Sequence, residues 1–164
     1  MSLRKTDNPS EAPALATARP QINTETLDRS LAYSLRRAQL STYQDFTAFM
    51  ADFDIRPSQL AVLMLIRSNP GQTQSAISAT LAIQKANFVA LLDGLEARDL
   101  TERRKVAGDR RAFALYLTRI GETLVRKLEA AHDEMEEKLK SRLGPKRSLQ
   151  LLNLLHEFSK YDSE

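Results

Sequence analysis

The sequence predicts a mainly α-helical fold of six helices, with one small β-hairpin set between the fourth and the fifth. Three observations carry this. Apolar residues recur at spacings of three and four along most of the chain. The pattern switches to alternation over residues 100–106 and 112–117. Thr24, Thr73 and Thr118 each stand where a helix needs a cap.

Residues 1–22 hold Pro9, Pro13 and Pro20 among Ala, Ser and Thr, without apolar periodicity. Such a stretch cannot bury enough surface to offset its ordering entropy, so a flexible tail is expected. From Thr24 a long first helix lines Leu27, Leu31, Leu35, Ala38, Thr42, Phe46, Phe49 and Phe53 on one face. A narrower strip holds Tyr33, Arg36, Leu40, Tyr43 and Met50. Two apolar strips imply two neighbours, its own domain on one side and a partner subunit or ligand cavity on the other. Pro57 suits the first position of a second helix through Leu60, Leu63 and Ile66, which Asn69-Pro70-Gly71 ends. Thr73 caps a short third helix with Ile77 and Leu81. A fourth, over 84–98, buries Phe88, Leu91, Leu92 and Leu95. The two strands join around Ala107-Gly108-Asp109, and Thr118 opens a long helix through Leu124, Leu128, Met135 and Leu139. Gly144-Pro145 breaks the chain before a last helix that aligns Leu151, Leu154, Leu155 and Phe158.

Three short helices followed by a hairpin form a winged helix-turn-helix, whose last helix before the hairpin enters the major groove of duplex DNA. Winding that helix at 3.6 residues per turn turns Ala86, Val89, Ala90 and Asp93 outward, with Lys85 and Asn87 on the flanks. Small residues let the backbone sit deep in a groove. Asn87 or Gln84 can pair with adenine, and Lys85 can reach guanine or phosphate. Alanines are equally good helix formers on a plain surface, so this helix alone does not decide. The hairpin weighs more. Arg98, Arg103, Arg104, Lys105, Arg110 and Arg111 face only Asp99, Glu102 and Asp109 in the same stretch. Arg110 and Arg111 at the tip can reach phosphate or enter a narrow minor groove. Asp109 can fix the direction of the Arg111 guanidinium. Thr73, Gln74 and Ser75, at the start of the third helix, complete the candidate DNA surface.

The bulk composition agrees. Of 164 residues, 42% are hydrophobic and 27% charged, as in an ordinary globular protein, and the net charge of +3 makes local concentration of charge the relevant quantity. The longest apolar run, 60–66, is far too short for a bilayer, and no apolar signal core opens the chain, so no membrane partner is expected. The absence of cysteine removes disulfides, thiolate metal sites and a cysteine redox switch, and fits a cytoplasmic protein. An enzyme is not expected. His132 and His156 lie on different helices outside any metal-binding motif, and no phosphate loop or nucleophile elbow appears, so neither metal nor cofactor is anticipated.

Asp109-Arg110-Arg111-Ala112, followed by Leu115-Tyr116-Leu117-Thr118 and Gly121, resembles the wing signature of the MarR family of regulators. Pro57-Ser58-Gln59-Leu60 and Leu92-Asp93-Gly94-Leu95-Glu96 fit in the same register, and the similarity spans residues 24–162. The resemblance implies an intertwined homodimer built from the helices of 23–55 and 118–162, around a winged helix-turn-helix of 56–117. It also implies a pseudo-palindromic operator, with Arg111 in the minor groove and Asp109 orienting it. The family usually has Gly where Asp99 stands and Ser or Thr where Arg56 stands, which bears on the turn into the hairpin and on the second helix's cap. Family members typically release DNA when a small molecule fills the cleft between dimer helices and winged domain. Leu35-Arg36-Arg37-Ala38, with aromatics after it, resembles the branch governing aromatic-acid catabolism. That branch implies a repressor answering to an aromatic acid or its coenzyme A thioester. Tyr33, Arg36, Arg37, Leu40, Tyr43 and Phe46 are the candidate effector residues, rings beside guanidinium groups. Against this, apolar helical stripes are usually core, so for any one of them a role as ion-pair partner or dimer core is the favoured reading. The competing function is an effector-independent architectural or protein-interaction module, which would not prefer an operator over random duplex.

Overall fold

A computed structural model describes residues 22–106 and 109–160, with Asp109, Arg110 and Arg111 described by their backbone alone. Residues 1–21 of the expected tail and the Ala107-Gly108 turn lie outside the described residues. The first expected helix is two helices, α1 (Glu25–Asp28) and α2 (Leu31–Phe49), followed by a 3-10 turn over Ala51–Phe53. Ser30 makes the break. Its N–H bonds back to Leu27 O at 2.9 Å, and its Oγ accepts from the Tyr33 N–H at 3.3 Å, restarting the helix as a cap would. The apolar period runs through this point unbroken, so hydropathy alone reads one helix. The described residues thus hold seven α-helices and a hairpin.

The chain divides into two units, Met1–Arg36 and Arg37–Glu164. In the first, Leu27 and Leu31 are largely exposed. The second contains every buried apolar side chain among the described residues. Its helix α3 (Pro57–Ser68) starts on Pro57 as expected. Arg56 offers no acceptor to cap it, but Gln59 Oε1 accepts from the Arg56 N–H at 2.9 Å, the half of a capping box that needs no Ser or Thr. Helices α4 (Gln74–Thr80) and α5 (Lys85–Glu96) follow, then strands β1 (Thr101–Val106) and β2 (Asp109–Leu117), α6 (Arg119–Ser141) and α7 (Pro145–Lys160). Leu63, Ile66, Phe88, Leu92, Leu95, Leu115, Val125 and Leu128 are fully buried. The core therefore joins α3, α5, the hairpin and α6.

The strands pair antiparallel, Thr101 opposite Leu117 and Lys105 opposite Phe113, and the register slips between Lys105 and Val106. β2 consequently begins at Asp109, earlier than the alternation indicates. Gly71 N–H donates to Leu115 O and Leu115 N–H to Gln72 O, both at 2.9 Å, while Thr73 bridges to Ala114. These bonds pin the hairpin to the start of α4. Gly71 has a φ of 84°, and a Cβ there would meet the Tyr116 hydroxyl at 2.8 Å, so this position requires glycine. Asp99, where the resemblance implies Gly, takes a φ of 53°. The turn into the hairpin keeps its left-handed residue, which Asp tolerates better than most side chains.

Asp45 of α2 is buried and accepts from Lys138 Nζ at 3.1 Å and Arg142 Nη2 at 2.6 Å. Arg142 Nη1 also reaches Ser41 Oγ at 3.3 Å. The bond from Lys138 first, helped by Arg142 against the effect of burial, holds the Asp45 carboxyl below the usual carboxylate range. It is therefore ionised at neutral pH and fastens α2 to the end of α6.

Thr101 is buried, and its Oγ1 has no hydrogen-bond partner among the described residues. Replacing it with the isosteric apolar side chain removes an unpaired polar atom, so Thr101→Val is expected to stabilise the fold by about 1 kcal/mol. The check is a higher urea midpoint at unchanged slope. A lower midpoint would mean that the hydroxyl is satisfied. Among the described residues no single helix is long and apolar enough to cross a membrane.

Candidate nucleic-acid interface

Helices α4 and α5 are bent from one another by 113°, within the range of helix-turn-helix pairs. The bend is built locally. Thr73 caps α4, its Oγ1 accepting from the Ala76 N–H at 3.2 Å. Leu81, Ala82 and Ile83 turn back on Ile77, Ala79 and Ser78 through bonds of 3.0–3.1 Å, and Ala82 takes a φ of 49°. Ile77 beneath α4 and Phe88, Leu92 and Leu95 beneath α5 are buried, which fixes the faces that remain outside.

Those faces match the expectation closely. Lys85, Ala86, Asn87, Ala90 and Asp93 are exposed, and Val89 is half-buried at the edge. Gln84 precedes α5 as its cap residue, yet its side chain makes no capping bond, so its amide is not committed to the helix. Between α4, α5 and the hairpin lies a cleft of ≈ 500 Å³. Thr73, Gln74, Ser75 and Ser78 line it from the α4 side, Lys85 and Val89 from α5, and Arg103, Ala112 and Phe113 from the hairpin. The fold thus brings Thr73, Gln74, Ser75 and Lys85 into one concavity. Gln84, Ala86 and Asn87 occupy the first turn of α5 and the residue before it. Asp109, Arg110 and Arg111 open β2 at the hairpin's far end, and their side chains lie outside the described residues.

The hairpin's basic residues divide in a way that a charge count cannot reveal. Arg98 donates to Asp54 O at 2.7 Å and Phe53 O at 3.0 Å, hooking the end of α5 to the 3-10 turn after α2. Arg103 pairs with Asp93 at 2.5 Å and Glu96 at 3.4 Å, bracing the hairpin on α5. Arg104 pairs with Glu102 and lies over the Tyr116 ring, 4.1 Å from its centroid. Three of the cations counted as a DNA signal are engaged within the protein. Lys105 remains exposed. Ser78 and Phe113 are cleft residues that the sequence did not single out, and Arg103, counted there only for its charge, is another. Arg103 follows Asp93 by ten positions and Glu96 by seven, a separation that marks no contact until strand and helix are placed.

The candidate effector residues do not line this cleft. Tyr33 and Arg36 belong to the first unit, Tyr33 half-buried and Arg36 exposed. In the second, Arg37, Leu40 and Tyr43 are exposed, and Phe46 is core at 8% exposure. For Phe46 the packing role is the one observed.

Comparison with known proteins gives a consistent picture. Residues 53–112 match the sequence profile of the MarR family. A protein of Thauera aromatica, assigned as a transcriptional regulator for the hcr operon, is 27% identical over 135 residues, covering 82% of this chain and 81% of its own. The transcriptional repressor CouR bound to a 23-mer DNA duplex superposes with a TM-score of 0.80 at 36% identity, covering 85% of this chain and 99% of CouR. CouR bound to p-coumaroyl-CoA gives 0.77 at 34% identity, covering 85% and 98%.

Proposed function

The chain belongs to the MarR family of transcriptional regulators, and from that premise we propose that it is a ligand-responsive repressor. As a homodimer it binds a pseudo-palindromic duplex operator, and it is released by a small aromatic acid or the coenzyme A thioester of one. The observation that carries the DNA half is the cleft. An α5 first turn of Lys85, Ala86 and Asn87 stands outward between α4 and a hairpin that ends in Arg110 and Arg111. A helix with small outward side chains seats deep in a major groove, and the hairpin then falls on the neighbouring minor groove. The effector half is supported by the likeness to a repressor seen with an aromatic acyl-CoA.

The test is a gel-shift titration on the DNA flanking the protein's own gene against random duplex. A preference of roughly a thousandfold or more is expected, and equal affinity would leave only an architectural role. Adding p-coumaroyl-CoA, free p-coumarate or coenzyme A alone to the complex separates thioester from acid. Release by none of the three would remove an aromatic acid or acyl-CoA of this kind as the effector. Within the site, Arg111→Ala is expected to weaken operator binding by about ten- to a hundredfold with no change in thermal stability. Unchanged affinity at physiological salt would take the wing out of the interface.

A further inference from the structure

Ala86, Ala90 and Asp93 of α5 point, at 3.6 residues per turn, within about 50° of the direction opposite the buried Phe88, Leu92 and Leu95. Two of the three are small, as a helix that enters a groove requires, and the third is a carboxylate. The Asp93 side chain is 59% exposed although it is paired. Arg103 Nη2 donates to Asp93 Oδ1 at 2.5 Å, and among the described residues Asp93 Oδ2 accepts no hydrogen bond. The guanidinium reaches α5 from strand β1, and its side chain is only 21% exposed. Its Nε lies 3.4 Å from Glu96 Oε1. One cation thus serves two carboxylates, and the trio keeps a net negative charge.

An acidic residue on a face that meets duplex DNA needs a donor there. The phosphates repel it, and so do the N7, O6 and O4 acceptors of the major groove. Two groups in that groove donate a hydrogen bond, the amino groups of cytosine and adenine. Adenine sets its N7 acceptor beside the amino group, which suits a side chain that both donates and accepts. Cytosine presents its N4 amino group with no N7 of its own, and an ionised carboxylate, which only accepts, fits it. We propose that Asp93 is a base-reading residue of this chain, its Oδ2 accepting from cytosine N4 in the major groove. Arg103 is its positioning residue. It fixes the carboxylate through Oδ1 and offsets part of its charge, and the second oxygen is left for the base. A brace between helix and hairpin would work as well with both oxygens buried, whereas this one keeps its carboxylate on the face of Ala86 and Ala90. The assignment rests on the DNA-binding reading given above and adds one base pair to what α5 distinguishes.

Selection of binding sites from a randomised duplex library tests it, with the full-length parent and its D93A, D93N and R103M variants. The parent is expected to prefer C·G about tenfold over the other pairs at one position in each half-site. D93A should lose that preference and keep the others. D93N should move it toward adenine, with which an asparagine amide pairs through N6 and N7. R103M should flatten the same position, because the carboxylate is no longer held. A uniform loss of affinity in D93A, with every preference intact, overturns base reading and leaves Asp93 as a brace of the hairpin. A parent preference for adenine at the position that D93A flattens overturns the assignment to cytosine. An R103M variant that retains the C·G preference removes the positioning role of Arg103. A parent that enriches no sequence at all overturns the operator-binding reading itself.

Discussion

Gly121→Ala is expected to cost about 3 kcal/mol of stability and to abolish operator binding with it. A Cβ at Gly121 would sit 1.9 Å from Leu100 O and 2.9 Å from Leu100 C, and both obstacles are backbone atoms that no rotamer change can move. They also belong to a knot of short bonds. Thr118 Oγ1 donates to Asp99 O at 2.5 Å and accepts from the Gly121 N–H at 3.0 Å, while Thr118 N–H donates to Leu100 O at 3.1 Å. Here the base of the hairpin, the end of the turn after α5 and the first turn of α6 are held in one place. Relief of the clash must move α6 away from Leu100, which opens the core at Leu128 and Val125, or push β1 outward, which tilts the wing from α5. A typical domain has only about 5–15 kcal/mol in hand, so either shift is severe. The measurement is the urea midpoint together with an operator titration. A variant within half a kcal/mol of the parent would show that the two backbones are not in contact as described. Thr118→Val leaves the glycine and removes the hydroxyl, so it should cost only about 1–2 kcal/mol, the value of a lost cap.

The same knot shows what could be read from the chain beforehand. A threonine before a long apolar period marks a helix start, and the strands before it are written in alternation, whereas Gly121 entered only through the resemblance to the family's wing signature. The buried face of α5 was legible for the same reason, because Phe88, Leu92 and Leu95 follow one period and are core. Features without a period were not legible. The stop at Ser30 depends on one hydroxyl turning back to the chain. The fate of Arg98, Arg103 and Arg104 depends on partners that only the fold supplies, two backbone carbonyls, two carboxylates on α5 and a ring on the opposite strand. A charge count cannot separate them from the cations left for DNA, and three of its six, Arg98, Arg103 and Arg104, are engaged within the protein instead. Exposure along α2 and just past its end does not follow its two strips. Phe46 of the first strip and Met50 of the second are buried, while Leu40 and Tyr43 of the second stand half in solvent at 50% and 54%.

Leu154→Glu combined with Phe158→Glu is expected to convert the protein to a monomer and to weaken binding to the full operator by a factor on the order of 10²–10⁴. In α7 every residue except Ser148 is exposed, and Leu149, Leu151, Leu152, Leu154, Leu155 and Phe158 are among them, at 40–60%. Exposed apolar faces of this kind mark interaction surfaces, and in the homodimer proposed above this is the face expected to be covered. Leu154 and Phe158 stand four residues apart on one face, and neither belongs to the buried core cluster, so their replacement should spare the fold of the single chain. The loss of affinity follows from geometry. Two winged domains on one body pay the entropy of encounter once, and the second half-site is then met at a high effective concentration. A monomer forfeits that gain while keeping every contact of a single α5 and wing. Sedimentation velocity reads the first expectation, and paired titrations of a full operator and an isolated half-site read the second. The parent and the variant should bind the half-site alike and differ only on the full site. A variant that is monomeric yet binds the full operator as tightly as the parent would mean that one winged domain supplies all the affinity, and that the dimer serves something other than DNA.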